Sequence, residues 1–281
     1  MVDVAWLRTH LGTPNLAVFD CRFTLGDPDA GRSQYLAGHL PGALFLELER
    51  DLSAPAGRGR GRHPLPEPAR LAARLGQLGV GPDTTVVVYD DGAGGMAPRA
   101  WWLLGYLGLE RVAVLDGGLR TWTAAGGTLA AGSSDEAAAL ARPPRPLPVQ
   151  LRADWVCDLD EMTRLVADPK TQTVTVDARA PERYRGDYEP LDPVGGHIPG
   201  AINLPWTETV SADGRRRSPA ELAAHFAALR DRDVVVYCGS GVTACSNLLA
   251  MQVAGIQGAR LYPGSWSEWC ADPSRPTAKG G

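Results

Sequence analysis

The sequence predicts an α/β protein of two tandem domains, each a mainly parallel sheet flanked by helices, and three observations carry that prediction. The first is an internal repeat. Val18-Phe19-Asp20-Cys21-Arg22 returns as Thr175-Val176-Asp177-Ala178-Arg179, and Gly38-His39-Leu40-Pro41-Gly42-Ala43 returns as Gly196-His197-Ile198-Pro199-Gly200-Ala201, in the same order and at nearly the same offset. Two looser matches follow in register: Val86-Val87-Val88-Tyr89-Asp90 with Val234-Val235-Val236-Tyr237-Cys238, and Gly117-Gly118-Leu119-Arg120-Thr121-Trp122 with Gly264-Ser265-Trp266-Ser267-Glu268-Trp269. The second is that the short β-branched runs are apolar at successive positions, the mark of strands buried on both faces of a parallel sheet. The third is that helical patterns alternate with these runs and supply the layers that cover such a sheet.

In chain order, the first copy occupies 1–126, with a strand ending in Asp20-x-Arg22, a helix at 68–78 and strands at 86–89 and 112–115. The segment 127–151 is read as a Pro-rich linker. It holds Ala131-Gly132-Ser133-Ser134-Asp135 and then Arg142-Pro143-Pro144-Arg145-Pro146-Leu147-Pro148. Proline lacks an N–H and restricts the residue before it, so neither a helix nor an inner strand is expected there. The second copy occupies 152–281, with strands at 173–176 and 234–237 and helices at 219–229 and 243–253.

A chain of 281 residues is long enough for two domains with cores of their own. Its formal net charge of −4 offers no large basic field, which argues against nucleic acid as a partner. The run Gly57-Arg58-Gly59-Arg60-Gly61-Arg62-His63 has no interleaved aromatics and is read as a solvated loop. No apolar stretch approaches the roughly 18 residues that cross a bilayer, and the start MVDVAWLRTH carries acid and base where a secretory signal would be apolar. A cytoplasmic protein with no membrane partner is expected. Cys21, Cys157, Cys238, Cys245 and Cys270 are too few and too odd in number for a disulfide framework, and no CxxC pair offers zinc-like spacing. No metal or cofactor is expected, and a cysteine that matters acts as a thiol.

One cysteine stands out by position. Val234-Val235-Val236-Tyr237 runs straight into Cys238-Gly239-Ser240-Gly241-Val242-Thr243-Ala244, a strand leading through a glycine-containing turn to a helix. In open α/β sheets the ligand crevice lies at the carboxyl ends of the strands. The glycines let backbone N–H groups turn inward, and the helix adds the positive end of its dipole, so the turn favours an anion. That anion is either a bound phosphate or the sulfur of Cys238, because a helix N-terminus lowers a thiol's pKa and the thiolate is the nucleophile. Phosphoester chemistry in the tyrosine-phosphatase pattern needs an arginine six residues after the cysteine, where this chain has Ala244, and no Lys or Arg stands between Cys238 and Met251. A cysteine that accepts a sulfur atom and holds it as a persulfide is better served by a ring of neutral donors.

The loop from Cys238 to Ala244 resembles the active-site loop of the rhodanese superfamily, and the tandem arrangement resembles its two-domain thiosulfate and 3-mercaptopyruvate sulfurtransferases. The likeness spans nearly the whole chain and includes Gly-His-x-Pro-Gly-Ala in both copies, Ala97-Pro98-Arg99-Ala100-Trp101-Trp102 and Asp116-Gly117-Gly118. It implies a ping-pong transfer in which Cys238 takes the outer sulfur of a small anionic donor, carries it as a persulfide and delivers it to cyanide or to a thiol acceptor of thioredoxin type. It also implies that the first copy is catalytically silent, because Asp90 stands where Cys238 does and the turn Asp91-Gly92-Ala93-Gly94-Gly95 is longer. The competing reading is a sulfur-carrier or partner-docking module without turnover.

Donor binding is implied for Arg183 and for the loop residues Gly239, Ser240, Gly241, Val242 and Thr243. Gly-Ser-Gly after the cysteine leans toward 3-mercaptopyruvate. The second arginine of such enzymes, expected after a Glu-Pro step, is here Leu191 after Glu189-Pro190, which leaves Arg185 to compensate or thiosulfate to be accepted. The late motif departs as well, with Tyr262-Pro263-Gly264 where an aspartate usually precedes the glycine, though Asp116 keeps it in the first copy. His39 and His197 recur in both copies and are read as fixing a common turn, with His39 beside an acid such as Asp29 the lesser catalytic candidate. Trp101, Trp102, Trp266 and Trp269 are read as interface or cleft-wall packing.

Overall fold

A computed structural model describes residues 1–57, 59–92 and 94–281. Two compact units result, the first made of Met1–Ala54, Leu65–Arg152 and Ala212–Arg216, the second of Pro55–Pro64, Ala153–Ser211 and Arg217–Gly281. In the first unit β1 (Leu16–Asp20), β2 (Leu44–Phe45), β3 (Thr85–Tyr89) and β4 (Val112–Val114) form a parallel sheet in the order β2-β1-β3-β4. The second unit repeats it: β5 (Val174–Asp177), β6 (Ile202–Asn203), β7 (Val234–Tyr237) and β8 (Arg260–Leu261) pair in parallel as β6-β5-β7-β8. The continuous apolar runs of β3 and β7 are buried because helices cover both faces of these inner strands.

The repeated motifs hold each sheet to the turn beside it. Asp20 ends β1 and grips Arg22, whose Nη2 also donates to the Gly38 carbonyl at 2.6 Å. In the second unit Asp177 grips Arg179, whose Nη2 donates to Gly196 O at 2.5 Å. The histidines that follow are each tied to a tyrosine. His39 Nδ1 lies 2.7 Å from Tyr35 O and His197 Nδ1 2.8 Å from Tyr184 O, and each ring stacks on that tyrosine. The Tyr89 and Tyr237 hydroxyls at the ends of β3 and β7 accept the N–H of Leu40 and Ile198, one residue further along.

The linker expectation needs correction. Ser134–Leu140 is an α-helix, and Arg145 N donates to Gly76 O at 2.9 Å, so this segment packs on the first unit, which extends to Arg152. The prolines forbid a helix only from 143 onward, while Asp135 and Glu136 in the first turn favour the alanine run before them. Glu136 is buried, paired with Arg32 at 2.6 Å and Arg74 at 3.3 Å. The tryptophans are corrected too. Trp102, Trp266 and Trp269 are core residues, the last two donating their indole N–H groups to Val194 O and Pro276 O. Among the described residues no helix is long and apolar enough to cross a membrane.

Candidate functional site

Cys238 is the first residue beyond β7 and is 2% exposed. Its N–H donates to Ser265 Oγ at 3.1 Å, its carbonyl accepts from Trp266 N at 3.0 Å, and Gly239 O accepts from Ser267 N at 2.9 Å. The loop thus hangs from the helix Ser265–Trp269. Gly241 has φ +75°, and a Cβ there would lie 2.4 Å from Pro263 O, so both the backbone and the space demand glycine. Val242 is buried and Thr243 half-buried, and the helix Ala244–Val253 begins directly after them. Among the described residues the amides of Gly239, Ser240, Val242 and Thr243 meet no protein acceptor. Such a turn at a helix N-terminus can hold negative charge.

Two side chains from the run read as a solvated loop belong here, and that reading is corrected. His63, 7% exposed, shares a 2.8 Å hydrogen bond between its Nδ1 and Ser240 Oγ. Arg62 donates its backbone N–H to Ser267 Oγ at 3.1 Å, and its side chain pairs with Asp192. Gly61 allows this approach: a Cβ on it would lie 2.8 Å from Gly264 O. Arg58, in the same run, lies outside the described residues, as does Ala93 in the turn after Asp90. No local signal separates Arg62 and His63 from the arginines before them, since their role depends on residues far along the chain.

Arg183, on the helix Pro181–Arg185, is where the resemblance puts a donor-binding cation. It makes a two-pronged pair with Glu189, 3.0 Å through Nε and 2.6 Å through Nη2, and lies 3.4 Å from Asp192. Gly239 lies close beside these cations: a Cβ on it would lie 2.7 Å from Arg62 Nη2 and 3.5 Å from Arg183 Nη2, the mobile ends of two long side chains. Arg185, the residue left to compensate for Leu191, pairs with Asp187 at 2.7 Å, with its side chain 41% exposed. His39, the lesser candidate, is buried in the first unit with Asp135, not Asp29, as its nearest acid at 3.6 Å.

The rhodanese-like domain family matches residues 3–125 and 158–272. The chain belongs to this family. It is 49% identical over 280 residues to a Pseudomonas aeruginosa protein named "Probable 3-mercaptopyruvate sulfurtransferase", covering 98% of this chain and 96% of that one. It is 34% identical to the thiosulfate sulfurtransferase of Bos taurus, over 96% and 91% of the two chains. The crystal structure of SseA from Escherichia coli, described with the mechanism of 3-mercaptopyruvate sulfotransferases, matches at TM-score 0.82 and 33% identity, covering 95% of this chain and 98% of that one.

In the first rhodanese copy Asp90 occupies the turn after β3 with its own carboxylate. Oδ1 accepts from Gly92 N at 2.9 Å and Gly94 N at 3.4 Å, and Oδ2 accepts from Met96 N and Ala97 N, both at 3.0 Å. The amides that a bound anion would need are already satisfied there. Three other cysteines of this rhodanese are held as thiols. Burial, aided by nearby acids, pushes Cys157 up to about 12 and Cys270 up to about 11, and Cys21 well above the usual thiol range. Cys→Ala at 21, 157 and 270 is therefore expected to leave turnover within about twofold, measured as initial rate per folded protein. Cys245 is not a remote control of this kind, since its thiol donates to Gly241 O at 3.4 Å within the loop.

Proposed function

We propose that Cys238 takes sulfur from a small anionic donor, 3-mercaptopyruvate ahead of thiosulfate, and passes it to cyanide or a thioredoxin-like thiol. The chain is a sulfurtransferase of the rhodanese family. The observation that carries the reading at residue level is the loop after β7: the Cys238 sulfur follows the strand into a turn whose amides at 239, 240, 242 and 243 meet no acceptor among the described residues, next to a helix N-terminus, a setting suited to a negatively charged sulfur. Asp90 fills the equivalent turn of the first copy and cannot accept sulfane sulfur, which supports a silent first copy.

With thiosulfate, the Cys238 thiolate attacks the outer sulfur, the S–S bond of the donor breaks with its electron pair, and sulfite departs. With 3-mercaptopyruvate the C–S bond breaks instead. The electron pair stays on carbon as the enolate of pyruvate, and the proton originally on the donor's thiol ends on that carbon. Cyanide then attacks the outer persulfide sulfur, leaving as thiocyanate and restoring the thiolate. Each step conserves charge without an added oxidant or reductant.

The second donor needs a proton moved and the first does not, and that difference supports the preference for 3-mercaptopyruvate. Ser240 and His63 form a hydroxyl–imidazole pair beside the loop, able to relay a proton from sulfur to carbon. Ser240→Ala is expected to lower kcat/KM for 3-mercaptopyruvate by roughly 100-fold and that for thiosulfate by less than about fivefold. Equal losses with both donors would remove the proton-relay role. Thiocyanate release with each donor plus cyanide, together with one added sulfur on Cys238 by intact mass spectrometry, tests the reading as a whole. Added sulfur without turnover would favour a carrier, and neither signal would overturn both.

A further inference from the structure

The site around Gly239 is electrically closed without a donor. Three cations, Arg62, Arg179 and Arg183, face three carboxylates, Asp177, Glu189 and Asp192. Arg179 is held by Asp177, and by Glu189 at 3.2 Å; Glu189 also takes the two-pronged pair from Arg183. Asp192 is shared by Arg62 and Arg183. An incoming carboxylate would add uncompensated negative charge unless one of these acids gave way.

Asp192 is held closely by Arg62 and only loosely by Arg183. Its contact to Arg183, at 3.4 Å, is longer than either prong from Glu189. Burial pushes its pKa up, and Glu189 beside it adds to the rise against the pull of Arg62, Arg183 and Arg179. Arg62 is also incompletely used. Its Nε is buried with no acceptor among the described residues, while its Nη2 lies against Gly239, the residue after the nucleophile. A guanidinium offers five N–H groups in a flat fork that suits a carboxylate, and here part of that fork is unspent.

We propose that Arg62 and Arg183 form a two-guanidinium cradle beside Gly239 for the carboxylate of a 2-oxo acid donor, and that Asp192 occupies this cradle until the donor's carboxylate replaces it. Arg62 thereby does from another loop what Leu191 cannot do at its own position. The inference deepens the donor assignment above and rests on it.

The test uses the full chain as wild type, Arg62→Gln and Asp192→Asn, with two readouts. In turnover with 3-mercaptopyruvate and cyanide, Arg62→Gln is expected to raise KM roughly 10- to 100-fold, with the loss carried by KM and not by kcat, and Asp192→Asn to lower KM severalfold. Arg62→Lys, which keeps the charge and loses the fork, should recover only part of the loss. In calorimetry, pyruvate, which keeps the carboxylate and the ketone, should bind more weakly to Arg62→Gln and more tightly to Asp192→Asn. Equal pyruvate affinity in all three forms would overturn the cradle whatever the turnover shows. So would weaker binding in Asp192→Asn, which would make Asp192 a support for the arginines and not their competitor. An inactive wild type that still binds pyruvate in this order would sink the transfer reading and leave the cradle standing. If Arg62→Gln fails to fold, the opposite-signed effect of Asp192→Asn still decides the matter.

Discussion

Cys238→Ser should abolish thiocyanate formation from either donor, by at least about 10⁴-fold, while the protein stays folded. Serine is close to isosteric with cysteine, and the contacts that hold residue 238 are backbone ones: the N–H to Ser265 Oγ and the carbonyl from Trp266 N. The fold has little reason to respond. The chemistry does, because a hydroxyl is scarcely ionised where a thiol is, and oxygen cannot carry sulfane sulfur as a persulfide does. The check is initial-rate turnover with each donor, alongside intact mass after donor treatment and tryptophan fluorescence as a folding control. Residual turnover of a few per cent, with the fluorescence unchanged, would mean that another thiol carries the sulfur. Cys21, Cys157 and Cys270 are poor substitutes, because burial holds all three protonated.

How much of this was legible in the sequence depends on how local each signal is. The inner strands β1, β3, β5 and β7 announced themselves through successive apolar residues, and the helices 68–77, 219–225 and 244–253 through their start signals and spacing. Strands β2, β6 and β8, two residues each, are too short to carry a period, and they exist because a neighbouring strand supplies their hydrogen bonds. The helix Ala97–Tyr106 is buried along nearly its whole length, so no polar face outlined it. Cys238, Ser240 and Gly241 were legible because a strand, a turn and a helix follow one another without a gap. Arg62 and His63 were not, since nothing near them distinguishes a glycine-arginine run in solvent from one laid against Gly264 and Ser240. Glu189 and Asp192 were equally silent. A carboxylate that braces a distant arginine has no sequence period, only a partner.

The repeated Asp-x-Arg shows the same division between pattern and purpose, and it yields the largest expected effect on stability. Arg179→Met is expected to destabilise the second unit by about 3–5 kcal/mol. Its side chain is 1% exposed and that of Asp177 is fully buried, so removing the cation strands a carboxylate that water cannot reach. Gly196 O would lose its 2.5 Å donor, and the guanidinium's stacking over Trp266, 4.8 Å from its ring centroid, would go as well. Activity should suffer beyond the stability loss, because Arg179 also braces Glu189 at 3.2 Å and Glu189 orients Arg183. Asp177→Asn combined with Arg179→Met removes both charges and should recover a substantial part of the stability, whereas the single substitution should not. Denaturant unfolding followed by hydrogen exchange, read at β5 and β7 for this unit and at β1 and β3 for the other, separates a local effect from a global one. A single variant as stable as wild type would mean that the repeated pair is retained for a reason other than holding the strand end to its turn.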